Sequence, residues 1–562
     1  MRIGIDIGGT HTDGALIGES RLIAAAKTPT DHDNLLLSIN RVLQALLVGQ
    51  DARRVATLNL STTLTTNAII NQTIDPVGML VSAGPGIAPE TYRIGDHYHL
   101  IYGSLDHVGT ETAELNEQDI EEALSACREQ GVVCYGIVSK FSPRNPIHEH
   151  QLAKALGDQA EVVTQGHLVS GRLNFGRRIH TAYYNSAVWR LFRRFAASLT
   201  LSLQGLGLEH VEVNILKADG GTMPLDRAME APVQSILSGP AASVMGILAV
   251  APAEEDLIML DIGGTTADIA LFAGGAPLLE REGIAIDNRP TLVRAIRVES
   301  IGVGGDSQIT VEEGTVRTGP RRVGPCMATG GTTPALMDAC NLLGLAEFGD
   351  IDQSRAGITG LASTCGRSPE ELAANAVTAA IETLADKIEA MIREVNTKPV
   401  YTIHEILEDR RITPKRLVVI GGPAPVLRAR LAERLGIEVV VPPLHEVVNA
   451  VGAALTRTTS HLALTVNTAR GMFSAPRLGV FRTVARSYSL DKAVADAKDL
   501  LQQDLLRAGV QLGDEDIQIT QADAFNMVEG SYTAGKNIRV MVQVRPAVLA
   551  RLEPTQVAVI PA

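Results

Sequence analysis

The chain opens on an alternation of apolar and polar residues. Residues 2–16 read as two short strands joined by a tight turn at Gly8-Gly9-Thr10. Helix-like and strand-like stretches then alternate to about residue 165. Residues 78–82 and 132–138 read as strands. Asn145-Pro146 predicts a helix carrying His148 and Glu149, with proline in its first turn. Residues 240–253 are apolar but too short to span a membrane, and acids follow at Glu254, Glu255 and Asp256. They predict a buried helix. Residues 372–395 place apolar side chains at 377, 381, 384, 388, 391, 392 and 395, the stripe of a helix with one buried face. Strands are expected at 417–420, running into Gly421-Gly422-Pro423, and at 438–441. A helix is expected at 445–455. The last hundred residues hold no glycine cluster. A charged helix at 490–508 and alternating strands such as 538–544 predict a separate α+β unit. The expected units are therefore 1–165, 166–460 and 461–562.

Composition narrows the reading. The 562 residues suggest roughly three to four domains. Apolar residues make up 45%, an ordinary globular value, so disorder is excluded. The net charge of −13 and the 3% aromatic content argue against a nucleic-acid partner. No apolar run is long enough to span a membrane, and the acid at Asp6 is incompatible with a signal peptide. Five cysteines (Cys127, Cys134, Cys326, Cys340 and Cys365) with no CxxC pair suggest reduced thiols in a cytoplasm. Glycine stands out: 52 residues, against about 39 expected at a usage of ~7%.

Those glycines expose an internal repeat. The segment from Ile3 to Leu16 aligns without gaps on that from Ile258 to Leu271, with nine of fourteen positions identical. Each copy reads strand, Asp-x-Gly-Gly-Thr, strand, so two related lobes are expected. Glycines at a turn let backbone N–H groups approach a bulky anion. Gly8, Gly9, Thr10, Gly263, Gly264 and Thr265 are the candidate phosphate cradle. Asp6 and Asp261 would repel bare phosphate, but they suit Mg²⁺, which keeps much of its water and takes one or two carboxylates. Asp13 and Asp268 would brace the hairpins or reach the metal's water. Two facing copies would clamp one Mg–nucleotide. No Walker-type phosphate loop occurs. The run from Gly302 to Ser307 lacks the last glycine of a dinucleotide fingerprint.

The paired hairpins resemble the actin/Hsp70/sugar-kinase ATPases, and the chain more closely resembles the A-type chains of the hydantoinase/oxoprolinase family. The resemblance rests on an ordered set: Gly8 to Asp13, Ser61 to Ala68, Asn145 to Glu149, Ala218 to Gly221, Ser238 to Ala242, Asp261 to Asp268, Ile301 to Ser307, Pro334 to Gly344 and Gly421 to Ala424. It covers roughly residues 1–460. It implies an α/β fold of duplicated, ribonuclease H-like ATPase lobes with an added C-terminal α+β domain. It also implies ATP and Mg²⁺ as cofactors and ATP-dependent attack on a stable amide or carbonyl. Phosphorylating the carbonyl oxygen of an unstrained cyclic amide would turn a poor electrophile into one that water attacks.

By the same resemblance Gly304 and Gly305 would lie at the nucleotide, and Gly421 and Gly422 beside its nucleoside. A small cyclic amide would be the substrate. Self-association and pairing with a separate B-type subunit would be the expected partnerships. Asp306 stands where the family usually has glycine, and the shorter C-terminal region departs from the family's common length. Two other classes stay open: a small-molecule kinase of the same fold, and an ATP-driven scaffold or reactivating factor.

Other constellations read as structure first. His97-Tyr98-His99 and His148-Glu149-His150 have metal-like spacing but no third ligand. Arg177-Arg178 could hold a substrate carboxylate, though salt bridging is the plainer role. Thr62, Thr63, Thr65 and Thr66 are expected at the cleft, with local capping as the alternative. Asn449 and Gly452 are expected to serve helix packing, with an interlobe contact as the alternative. No general base is singled out.

Overall fold

The computed structural model describes the chain except residues 32, 252–254, 281, 398–410, 511–512, 514–515, 530–531 and 554–556. Its frame is two sheets built alike. In the first sheet, strand Arg2–Ile7 pairs antiparallel with His11–Gly18 and parallel with Thr57–Thr62, which pairs parallel with Glu212–Leu216. In the second, Leu257–Ile262 pairs antiparallel with Ala267–Ala273 and parallel with Arg416–Ile420, which pairs parallel with Glu438–Val440. The repeat is therefore a repeat of topology. Asp6 pairs with Asp13 in one hairpin, and Asp261 with Asp268 in the other.

Strand alternation decides which way the aspartates face. Side chains two apart share a face. Ile3, Ile5 and Ile7 point into one core with Leu43, Leu60 and Phe192. Gly4 and Asp6 therefore face the opposite side, against helix Val448–Leu455. In the second sheet Ile258, Leu260 and Ile262 join a core with Leu372, Val377 and Leu384 of helix Pro369–Thr397. Met259 and Asp261 face helix Ser238–Val250.

These two helices cross between the lobes at glycine. A Cβ on Gly452 would lie 2.1 Å from the Ala242 carbonyl oxygen, and one on Gly246 would lie 2.1 Å from that of Val448. One on Gly4 would lie 2.1 Å from the Ala450 carbonyl oxygen. No side chain fits at any of the three, and Gly452 serves helix packing at a contact that is itself between the lobes, so both roles weighed for it meet there.

A four-stranded parallel sheet (Val162–Gln165, Cys134–Ser139, Val77–Ser82, His97–Leu100) packs on helix Phe175–Gly205. The C-terminal sheet, from Val480–Thr483 through His461–Asn467 to Ile517–Glu529, packs on helix Leu490–Arg507.

Several expected elements are shifted. Pro146 caps helix Ile147–Leu156 instead of sitting in its first turn. The helix expected at 445–455 begins at Val448. The helix expected at 240–253 ends at Val250, and residues 252 and 253 lie outside the described ones. Hydrogen bonding also crosses the sequence units. Strands Glu212–Leu216 and Thr222–Pro224 complete the first sheet at one edge, and Val559–Pro561 pairs with Arg21–Pro29 at the other. Among the described residues, no helix is long and apolar enough to cross a membrane.

Candidate active site

Both hairpins turn in the same way. The Gly8 N–H donates to the His11 carbonyl at 3.0 Å, and the Gly263 N–H to that of Thr266 at 2.9 Å. The two turns meet: a Cβ on Gly264 would lie 3.2 Å from Thr10 Oγ1. This contact brings the candidate phosphate residues of both copies to one place, although the copies are 255 positions apart in the chain.

Four carboxylates stand behind the turns. Asp6 is buried, and Oδ2 accepts from Asn449 Nδ2 at 2.7 Å. Asn449 Nδ2 also reaches Asp13 Oδ2 at 2.9 Å, and Lys27 Nζ lies 2.8 Å from Asp13 Oδ1. Asp6 Oδ1 is buried with no hydrogen-bond partner, an arrangement that costs free energy unless a ligand fills it. Burial, with Asp13 and Asp261 nearby, pushes the Asp6 carboxyl up to about 7, against the pull of Ser61 and Asn449. Asp261 Oδ2 accepts from Ser243 Oγ at 2.6 Å. Burial raises its carboxyl too, with Asp13 adding to the rise. Asp268 accepts from Ser300 Oγ, and loss of water, then the charge of Asp261, brings it up to about 7.

Helix Ser238–Val250 begins at this site. A Cβ on Gly239 would lie 3.9 Å from Asp6 Oδ1. Three of the four threonines, Thr62, Thr65 and Thr66, tie its start to the segment that opens helix Leu64–Ile70. Ser238 Oγ accepts from the Thr62 N–H at 3.1 Å, Thr65 Oγ1 lies 3.0 Å from Ser235 Oγ, and Thr66 Oγ1 accepts from the Leu237 N–H at 3.1 Å. Thr63 Oγ1 accepts from Asn67 Nδ2 at 3.3 Å within the helix.

The remaining glycines shape the second turn. The Gly305 N–H donates to the Gly263 carbonyl at 3.0 Å, and the Gly304 N–H to Ser307 Oγ at 2.8 Å. Their own N–H groups are thus engaged within the protein. Asp306 donates its N–H to the Gly264 carbonyl at 2.7 Å. Its carboxylate accepts from the Cys326 N–H at 2.9 Å and from Arg322 at 3.1 Å. The added negative charge is therefore paired. Gly421, at φ +91°, packs against the Ile262 carbonyl, and a Cβ there would lie 3.1 Å from Asp261 Oδ1. Gly422 has open space around it.

The sequence profile described as hydantoinase/oxoprolinase matches residues 178–461, and that of the hydantoinase/oxoprolinase N-terminal region matches residues 2–159. The chain belongs to the hydantoinase/oxoprolinase family. It is 29% identical over 485 residues to the caprolactamase alpha subunit of Pseudomonas jessenii, covering 79% of this chain and 68% of that one. It is 24% identical to the acetophenone carboxylase gamma subunit of Aromatoleum aromaticum, covering 61% of this chain and 53% of that one. The solved ATP-dependent caprolactamase from Pseudomonas jessenii superposes with a TM-score of 0.72 at 22% identity, covering 99% of this chain and 88% of that one. A nucleotide-free acetone carboxylase superposes with a TM-score of 0.71 at 16% identity, covering 99% and 89%. The duplicated α/β fold of this family is the fold expected from the repeat.

Within this family fold, the other expected constellations resolve into structure. Arg178 is fully buried, donates to the Ser139 carbonyl at 2.8 Å and lies 3.6 Å from Glu149. Burial lowers it to about 10. Arg177 donates to the carbonyls of Glu282, Gly283 and Thr291. Glu149 bonds His167 Nδ1 at 2.6 Å, and His148 bonds Glu111 at 2.9 Å. Among the described residues, no three His, Cys, Asp or Glu side chains gather to hold a metal. The His-x-His pairs thus form no metal cage.

Sequence reasoning missed Ser243, Ser300 and Lys27, and it favoured packing for Asn449. Asn449 instead bridges Asp6 and Asp13. Asn449 precedes Ala450, whose carbonyl packs on Gly4 of the first hairpin, and its own apolar neighbours in the chain gave no sign of this contact.

Proposed function

We propose that the chain is an ATP-dependent hydrolase that opens a small cyclic amide of the hydantoin, 5-oxoproline or lactam type by phosphorylation at the carbonyl oxygen. The observation that carries this is the meeting of two Asp-x-Gly-Gly-Thr turns, with Thr10 Oγ1 3.2 Å from the Cβ position of Gly264. The partnerless Asp6 Oδ1 supports a Mg²⁺ requirement. With no cluster of three protein ligands among the described residues, such an ion would rest on Asp6 and Asp261, with water and phosphate oxygens completing its shell. Bound Mg²⁺ supplies charge neutralisation on the phosphates. Gly9, Thr10, Gly264 and Thr265 would hold those phosphates, while Gly8 and Gly263, whose N–H groups close the turns, would shape them. Gly304 and Gly305 would shape the second turn from behind. Gly422, with open space beside it, would lie by the nucleoside, and Gly421 would position Asp261. Asn449 and Lys27 would keep Asp13 and Asp6 oriented and balanced in charge.

The solved relative named as an ATP-dependent caprolactamase supports ATP use and the amide class. The names alpha and gamma among the relatives support assembly with further chains. The reading assigns nucleotide binding to the units 1–165 and 166–460, and a supporting or assembly role to 461–562.

The test is a panel: ATP with hydantoin, 5-oxoproline, lactams, ketones and sugars, with and without a B-type subunit. Ring opening coupled to ADP and phosphate supports the proposal. A stable phosphorylated product would replace it with a kinase, and turnover stimulated by protein alone would replace it with a scaffold.

A further inference from the structure

A cavity of about 290 Å³ adjoins the second copy's side of the candidate active site. One wall is strand Val298–Ile301, which pairs antiparallel with Ala267–Ala273. Ser300 stands opposite Asp268, and Val298 opposite Ala270. Side chains two apart share a face, so Val298 and Ser300 lie on the face that carries Asp268. Ser300 lines the cavity and donates its hydroxyl to Asp268. A second wall is the start of helix Ser238–Val250, through Leu237, Pro240 and Ala241. Gly239, between Leu237 and Pro240, has its Cβ position 3.9 Å from Asp6 Oδ1. The cavity therefore adjoins one aspartate from each copy.

Its walls are mainly apolar, as small-molecule pockets usually are. Leu237 sits at φ +58°, the left-handed region that favours glycine, and is 39% exposed. Its N–H donates to Thr66 Oγ1 at 3.1 Å, which holds the strained backbone in place. A large apolar side chain kept in a strained, unburied position beside the aspartates points to a ligand-facing role. The charged groups disfavour an anion. Arg297, the cation of the lining, is engaged by Glu394 at 2.7 Å, Glu280 at 3.5 Å and Glu299 at 3.7 Å. Lys387 pairs with Glu299 from outside the cavity. Among the described residues, two cations thus meet three carboxylates, before Asp268 is counted.

We propose that this cavity seats the substrate ring and selects a neutral lactam with a hydrocarbon ring. It would repel 5-oxoproline through that molecule's carboxylate. It would disfavour hydantoin because apolar walls leave the extra polar groups of that ring unpaired. The role as substrate rests on the proposed function; the binding preference rests on the cavity.

The test is a ligand-observed NMR titration of the full chain with ε-caprolactam, 5-oxoproline and hydantoin, with Mg²⁺ and a non-hydrolysable ATP analogue present. Saturable binding of ε-caprolactam at least about tenfold tighter than of either other ring is expected. Leu237→Trp, which fills the cavity, should weaken lactam binding at least about tenfold. Leu237→Gly relieves the strained φ and opens the wall, so it should weaken lactam binding about threefold with cooperative melting retained. Glu280→Gln should narrow the gap to 5-oxoproline about threefold. No saturable lactam binding, 5-oxoproline binding as tightly as the lactam, or unchanged lactam affinity in both Leu237 variants would overturn the proposal. Ring opening is measured separately. Lactam binding that responds to Leu237 without ring opening keeps the site and overturns the hydrolase reading. Ring opening that Leu237→Trp leaves unchanged keeps the hydrolase reading and overturns the site.

Discussion

In the first hairpin Asp13 faces Lys27 at 2.8 Å, and Asn449 ties it to Asp6. In the second hairpin Asp268 and Asp261 each take a serine hydroxyl, from Ser300 and Ser243. The first pair is buried and the second half-buried. Nine of fourteen residues and the register are shared, yet one copy balances a buried carboxylate with a cation while the other uses neutral hydroxyl donors. The duplicated motif sets where the backbone and carboxylates go. The helices over the two copies also correspond, Ser243 standing three positions before Gly246 as Asn449 stands before Gly452, each donating to its strand aspartate. The charge is held differently at the second aspartate of each hairpin, by Lys27 at Asp13 and by Ser300 at Asp268.

The largest effect should come from exchanging aligned residues between the copies. Gly4 aligns with Met259. Gly4→Met would drive a side chain into the backbone of helix Val448–Leu455, where the Ala450 oxygen lies 2.1 Å from the new Cβ. Loss of at least about 3 kcal/mol of stability is expected. The reverse exchange, Met259→Gly, should cost less, because it empties packing space without a clash. Denaturant melts of both variants check the asymmetry.

Lys27→Met comes next. It would leave Asp13 buried beside Asp6 without its cation, and Lys27 is itself partly exposed. A loss of roughly 2 kcal/mol is expected, discounted from the cost of breaking a fully buried pair. Adding Asp13→Asn should recover much of it in a double-mutant cycle. An additive cycle would show that the cation does not hold this carboxylate.

A smaller effect is pH-dependent. Asp6 and Asp268 bind their protons up to about pH 7 in the folded chain, whereas the unfolded chain releases them near pH 4. Between those values the folded state holds more protons, so this contribution to stability is present at low pH and is lost as pH rises to 7. Asp6→Asn and Asp268→Asn should each flatten that slope in urea melts. Mg²⁺ with nucleotide should stabilise the native chain more at pH 8 than at pH 5, because metal and proton compete for Asp6. An identical ligand effect at both pH values would contradict this.

The smallest effect expected is that of Asp306→Gly, which gives the second copy the residue usual in the family. It removes a carboxylate beside the Gly264 turn and leaves Arg322 without that partner. Nucleotide affinity should rise by about three- to tenfold at low salt and by less at high salt. Titrations at two ionic strengths measure it.

The hairpins were legible because their information is local. Alternation fixes the faces, glycines fix the turn, and aspartates at strand ends keep the same parity in both copies. Helix Pro369–Thr397 was legible for the same reason, through its apolar stripe. The donors to the aspartates were not. Asn449 lies 443 positions from Asp6, and its neighbours in the chain are apolar helix residues that point to packing. Strand Val559–Pro561 has three residues and no alternation to announce that it pairs with Arg21–Pro29. Arg178, for which salt bridging was the plainer reading, does lie 3.6 Å from Glu149, but its full burial was not legible and follows from the covering of helix Phe175–Gly205 on several sides.

The central claim is that Asp6 and Asp261 serve one bound magnesium–nucleotide from two lobes. Its most direct test is Mg²⁺-dependent ATP turnover, with nucleotide affinity, in Asp6→Ala and Asp261→Ala measured side by side. Loss of turnover in both, with cooperative folding retained, is the predicted result. Full turnover in both would contradict the clamp.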